Sequence, residues 1–251
     1  TTTVDTVSVE ISGSAIQLVE NCFEDRVEIG GNAPPQIFGP VTWRIRISRD
    51  ANMDLTTFAG TIHIASTAGS VTARNTGGSI ISGNIGGNAA MVTQGGSISA
   101  GNIGGDAELR SMGGFIEIGN VAGNAEVETF AGPITMGTVA GFVRAETMGG
   151  SISISESQGE LYAVTLAGDI LIGVASRTDV QTAGGNIIGM RIRGPFRGFT
   201  ELGNIRLERA ESSIEAQSGI GDIDATLIPQ SIDGDLHVTL RTSSGNIRLA
   251  I

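Results

Sequence analysis

Isoleucine recurs at every eighteenth position through the middle of this chain, in each case two positions after a glycine. The positions are Ile62, Ile80, Ile98, Ile116, Ile134, Ile152 and Ile170. A strict repeat of this length is typical of a solenoid, because one repeat cannot bury its apolar face alone and must stack on its neighbours. The pattern therefore predicts a stack of coils, each about 18 residues long.

Each repeat, written out as one row, contains two short stretches in which apolar and polar residues alternate. In one row, Gly96-Ser97-Ile98 opens the first stretch, and Gly105-Asp-Ala-Glu-Leu109 forms the second one nine positions later. Alternation with a period of two places successive side chains on opposite faces of a strand. The density of glycine disfavours helix. We therefore predict an all-β fold, a single-stranded β-solenoid (β-helix) with two strands in each coil.

The alternation also identifies three further columns of small or apolar residues that should point inward. They are Ile85, Ile103, Val121 and Val139; Ala89, Ala107, Ala125, Val143 and Leu161; and Met91, Leu109, Val127, Ala145 and Ala163. Beyond Ile170 the isoleucine column slips by one position, continues at Ile187, Ile205 and Ile223, and closes at Ile247. Small residues in these columns predict a narrow coil.

The N-terminal segment, residues 1–57, departs from the row pattern. Segments 1–11 and 41–47 alternate as strands, and Pro34-Pro35 and Gly39-Pro40 mark a loop between them. We interpret residues 1–57 as N-terminal strands and a cap that begin the solenoid, and residues 58–251 as the solenoid itself. Trp43 is either a core plug that closes the first coil or a platform on which a sugar stacks, and the plug is the commoner role.

The net charge of −11 and the absence of lysine narrow the function classes. All 15 basic residues are arginine, which excludes Schiff-base lysine chemistry and a lysine-bound phosphate loop. An acidic chain is a poor nucleic-acid partner, because phosphate binding needs a basic footprint. No apolar run is long enough to predict a transmembrane segment. A first residue other than methionine is typical of an exported protein whose leader has been removed, so we expect an extracellular or cell-surface location.

Several rows share a Ser/Gly-rich motif. Residues 77–88 read Gly-Gly-Ser-Ile-Ile-Ser-Gly-Asn-Ile-Gly-Gly-Asn, residues 218–225 read Ser-Gly-Ile-Gly-Asp-Ile-Asp-Ala, and residues 243–249 read Ser-Ser-Gly-Asn-Ile-Arg-Leu. Over about residues 55–251 the chain resembles a bacterial putative-adhesin family of unknown function, whose members repeat Ser-Gly-(Asp/Asn)-Ile strands. The resemblance implies an exported, right-handed single-stranded β-helix, and it carries no established catalytic residues.

Two outward columns of side chains bear on metal binding. Asn88, Asp106, Asn124, Phe142 and Glu160 occupy the position that supplies calcium ligands in β-roll repeats. A phenylalanine and two neutral amides cannot hold a row of hard cations, so we predict no metal and no cofactor. A second column contains Asn84, Asn102 and Asn120. We interpret it as an asparagine ladder in which each amide bonds its neighbours above and below.

Two further outward columns contain carboxylates. They are Glu108, Glu126 and Arg144, and Arg110, Glu128 and Glu146. Adjacent strands would place neighbouring carboxylates about 5 Å apart, the separation of a retaining glycosidase pair. Each column also supplies an arginine one coil from a glutamate, Arg144 beside Glu126 and Arg110 beside Glu128, which favours a solvated, charge-paired sheet. We therefore predict that the chain is not an enzyme, and we keep a polysaccharide-active β-helix enzyme as an alternative.

The two ends of the chain carry strands without an evident cap. A solenoid exposes an unpaired strand edge at each end unless a cap blocks it, and head-to-tail contacts that do not close build filaments. We predict self-association into an extracellular filament or surface layer. The candidate residues are Thr3, Val4, Val7, Val9, Ile11, Leu236, Val238, Leu240, Ile247, Leu249 and Ile251.

A monomeric cell-surface adhesin is the alternative, with cell-surface or matrix components as partners. Its candidate binding patch breaks the row pattern with basic and aromatic residues. The patch residues are Arg191, Arg193, Phe196, Arg197 and Phe199. Exposed loop residues of this kind often bind partners. The other interpretation of the same stretch is a turn insertion in which both phenylalanines cover the core.

Overall fold

The structure is a computed structural model that describes residues 8–12, 17–22, 27–32, 42–46, 49–229 and 236–251, with side chains for 49–229 and 236–251. The chain divides into two compact units, Thr1–Arg49 and Asp50–Ile251.

The described part of the first unit consists of two antiparallel strand pairs. Strand β1 (Ser8–Ser12) pairs with β4 (Thr42–Arg46), and β2 (Gln17–Cys22) pairs with β3 (Val27–Asn32). Strand β1 thus overlaps the alternating segment 1–11, and β4 lies within the alternating segment 41–47. Trp43 lies opposite Ile11 in the β1–β4 register. Its side chain is outside the described part of the structure, so both predicted roles of Trp43 stay predictions.

The second unit is a solenoid. Its described residues form two 11-stranded parallel sheets, and each pass of the chain adds one strand to both. The odd sheet contains β5 (Met53–Thr57), β7 (Val71–Asn75), β9 (Ala89–Thr93), β11 (Ala107–Ser111), β13 (Ala125–Thr129), β15 (Val143–Thr147), β17 (Leu161–Thr165), β19 (Thr178–Thr182), β21 (Phe196–Leu202), β23 (Ile214–Ile220) and β25 (Val238–Ser244). The even sheet contains β6 (Ile62–Ile64), β8 (Ile80–Ser82), β10 (Ile98–Ala100), β12 (Ile116–Ile118), β14 (Ile134–Val139), β16 (Ile152–Ser157), β18 (Ile170–Ala175), β20 (Ile187–Ile192), β22 (Ile205–Ala210), β24 (Ile223–Leu227) and β26 (Ile247–Ala250).

The predicted all-β solenoid is confirmed, with coils of about 18 residues. The isoleucine column pairs in register from Ile62 through Ile170, Ile187 and Ile223 to Ile247. Its members are buried up to Ile223. The strands stay in register in coils of other lengths, because the extra or missing residues lie outside the paired strands.

The other predicted inward columns are confirmed as well. The alanine-led and methionine-led columns pair in register along the odd sheet, and the column from Ile85 to Val139 is joined by single parallel bridges between coils. All of these residues are buried. Each coil therefore stacks its apolar columns on those of the coils above and below it, as a solenoid requires.

A column of buried hydroxyl groups closes one corner of the coil. Thr147 is typical: its Oγ1 donates to the carbonyl oxygen of Gly132 in the preceding coil (2.9 Å) and accepts the N–H of Gly150 (3.3 Å). The bond to the preceding coil recurs at Thr93, Ser111, Thr129, Thr165, Thr182, Thr200, Ser218 and Thr242. The corner can be buried because its main-chain carbonyl and N–H groups form hydrogen bonds with these hydroxyl groups.

We expect Thr147→Val to lower the free energy of unfolding by roughly 2 kcal/mol, because it leaves a buried carbonyl and a buried N–H without partners. Thr135→Val is the matched control, since Thr135 points outward from β14 and is exposed. We expect it to change stability by less than about 0.5 kcal/mol. Urea unfolding followed by circular dichroism measures both, and equal effects would contradict the role of the buried hydroxyl.

Candidate functional site

The last coil of the solenoid exposes positions that are core in every preceding coil. Ile247 and Leu249 are 47% and 37% exposed, whereas Ile223 and Ala225, their partners in β24, are 1% and 0% exposed. Strands β25 and β26 each stand at the end of their sheet. We call the surface formed by β25 and β26 the C-terminal edge.

In the described part of the chain, the main chain of the C-terminal edge pairs with another strand on one side only. In preceding coils the N–H of the column isoleucine donates to a carbonyl of the next coil, for example Ile223 to Asn246 at 2.9 Å. Among the described residues no strand follows β26 to accept from Ile247. Parallel strands direct alternate residues to opposite neighbours, so the N–H of Leu249 also points away from β24. Unpaired strand edges bind other strands readily.

The remaining residues predicted for self-association lie in several places. Leu236, Val238 and Leu240 are half-buried on or next to β25. Ile251 directly follows β26 and is 90% exposed. Val9 and Ile11 lie in β1, where β4 occupies one edge. Thr3, Val4 and Val7 lie outside the described residues.

The candidate binding patch does not form one exposed cluster. Phe196 is 2% exposed and belongs to the core, where it pairs in register with Thr178 and Ile214. Phe199 is half-buried on β21. The prediction of an exposed aromatic at position 196 is therefore wrong. Phe196 is part of the core, as the other interpretation has it, but it lies in strand β21 and not in a turn insertion. The reason is that β21 continues the inward–outward alternation of the odd sheet, with Phe196 on the inward side.

The arginines of that patch are paired with glutamates from other coils. Arg191 contacts the buried side chain of Glu211 at 2.8 Å, and Arg209, which is not part of the patch, contacts the same carboxylate from its own coil at 2.7 Å. Arg193 lies 3.3 Å from Glu156. No motif in the sequence indicates these partners, because only the register of the sheets brings together residues 20 and 37 positions apart.

A groove of about 400 Å³ lies at the start of the last strands of the odd sheet. Its charged and titratable lining residues are Glu160, Arg177, Asp179, Arg197, Glu215 and His237. Arg177 lies 3.2 Å from Glu160, and Arg197 lies 3.7 Å from Glu215. Oδ1 of Asp179 is buried and has no hydrogen-bond partner among the described residues. The groove is thus lined by two arginine–glutamate ion pairs and by one aspartate whose Oδ1 is covered by protein atoms.

The two carboxylate columns have the predicted register, but only one of the two predicted ion pairs forms. Arg110 lies 3.6 Å from Glu128, and it also contacts Glu108 on its own strand at 3.1 Å. Arg144 pairs with Glu146 on its own strand and lies over the ring of Tyr162, 5.2 Å from its centroid. The predicted pairing of Arg144 with Glu126 is not formed, because residues two apart on a strand share a face and compete for the same guanidinium.

The asparagine column bonds the coils through the main chain. The N–H of Asn102 donates to Oδ1 of Asn84 and the N–H of Asn120 donates to Oδ1 of Asn102, both at 2.8 Å. The predicted amide-to-amide ladder is therefore wrong about the donor. The column considered for calcium behaves in the same way, since Oδ1 of Asp106 accepts the N–H of Asn124 at 2.7 Å. Side-chain oxygens in both columns act as links between coils.

Within the part of the chain that the structure describes, no three His, Cys, Asp or Glu side chains are grouped as ligands for a metal ion. None of the described residues belongs to a helix with the length and hydrophobicity needed to cross a lipid bilayer.

Comparison with protein-family models, with curated proteins and with solved structures finds no match to this chain. The resemblance to the putative-adhesin family therefore stays a prediction from the motifs, and we infer function from the surfaces of the solenoid.

Proposed function

We propose that this chain is a non-enzymatic, exported structural protein that self-associates head to tail through the C-terminal edge, building an extracellular filament or surface layer. The observation that carries the proposal is the exposure of Ile247 and Leu249 in columns that are buried one coil earlier. A strand from a second copy would cover these side chains and accept the unpaired N–H groups at the same time. The extracellular location follows from the family resemblance and is part of the proposal.

Two physical terms favour edge-to-edge pairing and one opposes it. Pairing buries apolar side chains and completes a hydrogen-bonded ladder, as in other cases of strand addition. Each copy carries a net charge of −11, so two copies repel one another at low ionic strength. Salt screens this repulsion, and we therefore expect association to strengthen as the sodium chloride concentration rises.

The test is sedimentation velocity of the full chain over a range of concentrations. We expect the weight-average sedimentation coefficient of the wild type to rise with concentration. Leu249→Pro removes an N–H that points away from β24 and part of the exposed apolar surface, while it keeps the pairing with β24. We expect this variant to raise the dissociation constant for end-to-end association about tenfold or more, since a lost hydrogen bond and lost burial each contribute about 1 kcal/mol.

Leu202→Lys is the matched control, because Leu202 is an exposed leucine at the side of the solenoid. We expect it to associate as the wild type does. If the wild type is a monomer at every concentration, the proposal is contradicted and the monomeric adhesin is favoured, with the groove around Asp179 as its binding surface. Association that is unchanged in Leu249→Pro would place the contact elsewhere and contradict the role of the C-terminal edge.

A further inference from the structure

A row of large apolar side chains runs along one corner of the solenoid. Each residue is the first one after a strand of the odd sheet, directly following the buried Ser or Thr of the corner. The row consists of Met112, Phe130, Met148 and Leu166, from four successive coils, and we call it the apolar ridge. Met112 is 62% exposed and Phe130 57%, and the other two are also exposed.

The apolar ridge is widened on its even-sheet side. Phe115 and Pro133 lie three positions after Met112 and Phe130 and are exposed as well. The same corner position holds polar residues in the two preceding coils, Thr76 and Gln94. Contiguous apolar surface of this kind is typical of an interaction site.

We propose that the apolar ridge is a lateral interface for a second copy of this chain, packed antiparallel with Phe130 opposite the same residue of the partner. In this arrangement Met112 of each copy faces Met148 of the other. The interface is distinct from the C-terminal edge and does not depend on head-to-tail association.

The apolar ridge of one copy has the same residue spacing as the apolar ridge of a second copy. Its residues follow strands that pair in register, so they repeat at the strand separation of about 4.8 Å. A second copy carries the same repeat, so the side chains of Met112, Phe130 and Met148 can pack against those of the partner over three successive coils. Identical surfaces related by a two-fold axis form the commonest closed interface between protein copies.

The charges beside the apolar ridge complement one another in the antiparallel arrangement. The outward column two positions before it reads Arg110, Glu128 and Glu146, in register. Centring the pair on Phe130 sets Arg110 of each copy opposite Glu146 of the other. Glu128 then faces its own counterpart, and the guanidinium of Arg110, 3.6 Å away in the same chain, offsets that repulsion.

The same charges argue against a lipid surface as the occupant. The chain is acidic and has no lysine, whereas proteins that insert apolar residues into anionic membranes surround them with basic ones. Self-pairing buries the apolar ridge without bringing an acidic face against an anionic surface.

Charge exchange tests the proposal in the Leu249→Pro background, in which end-to-end association is weakened. We expect the parent variant to form a dimer by sedimentation velocity. Arg110→Glu places acidic groups at both ends of the interface, and Glu146→Arg places basic groups at both ends. Each of these chains alone should dimerise at least about tenfold more weakly, and an equimolar mixture should form a heterodimer with the parent affinity.

The surface changes should leave the fold intact, because exposed ion pairs contribute little to stability. Phe130→Glu should also abolish the dimer, whereas Phe58→Glu should not. Phe58 is an exposed aromatic at the same corner, separated from the apolar ridge by Thr76 and Gln94. A parent variant that is monomeric, or a mixture that does not restore dimerisation, overturns the antiparallel pairing whether or not the wild type associates end to end.

Discussion

Replacing Gly114 by alanine is expected to destabilise the solenoid by about 3 kcal/mol or more, whereas the same change at the adjacent Gly113 should be close to neutral. A Cβ atom on Gly114 would lie 2.4 Å from the carbonyl oxygen of Gly96 in the preceding coil and 2.5 Å from Oγ of Ser97. A Cβ atom on Gly113 meets nothing closer than 3.4 Å. The two residues differ in the main chain stacked beneath them.

The physical reason is the fixed separation of the coils. The corner that contains Gly114 stacks directly on its equivalent in the preceding coil, and the strand ladders on both sides hold the two about 4.8 Å apart. Relief of the clash would require the ladder to open locally, because the obstructing oxygen belongs to the main chain. At Gly113 alanine reduces the entropy of the unfolded chain and costs nothing in the folded one.

Equilibrium unfolding in urea, followed by far-ultraviolet circular dichroism, measures both variants. We expect Gly114→Ala to have a clearly lower midpoint, and Gly113→Ala to overlay the wild type within error. A solenoid is coupled mainly through neighbouring coils, so Gly114→Ala could also split the transition into two steps. Equal stability of the two variants would show that the coils are not stacked as closely as the structure has them.

Replacing an isoleucine of the column by alanine should lower the free energy of unfolding much more in the middle of the stack than in its last coil. We expect Ile134→Ala to lower the free energy of unfolding by about 4 kcal/mol, since Ile134 is fully buried between Ile116 and Ile152. Ile247→Ala should cost less than about 1 kcal/mol in a dilute sample, because nearly half of that side chain is already exposed.

The loss of stability in Ile134→Ala and Ile247→Ala, measured at several protein concentrations, also tests the proposed function. If a second copy covers the C-terminal edge, the penalty for Ile247→Ala should grow with protein concentration, because binding stabilises the folded state by mass action. The penalty for Ile134→Ala should not change. Thermal unfolding of both variants at several concentrations checks this, and a penalty at Ile247 that is constant and small would count against self-association at this edge.

The apolar ridge has a signal in the sequence, whereas the groove around Asp179 has none. The apolar row Met112, Phe130, Met148 and Leu166 is visible as a regular repeat, but the same repeat is also the signal for core residues. Periodicity alone cannot separate the two, because inward and corner positions share one period. The groove around Asp179 gives no signal at all, since its lining comes from residues spread over successive coils.

The amino-acid sequence was sufficient to predict the solenoid fold, which it placed at residues 58–251, the length of the coil and the identity of the inward columns. It was sufficient because each coil repeats the same local alternation and contacts mainly its neighbours, so local pattern and tertiary packing carry the same information. The stacking of the coils determined the ion-pair partners, the burial of individual side chains and the hydrogen-bond donors, which the repeat does not specify. It selected which arginine meets which glutamate, buried Phe196, turned the asparagine oxygens toward main-chain donors and left Ile247 and Leu249 uncovered. These outcomes depend on the register and burial of residues far apart in the chain, and a one-dimensional pattern does not contain them.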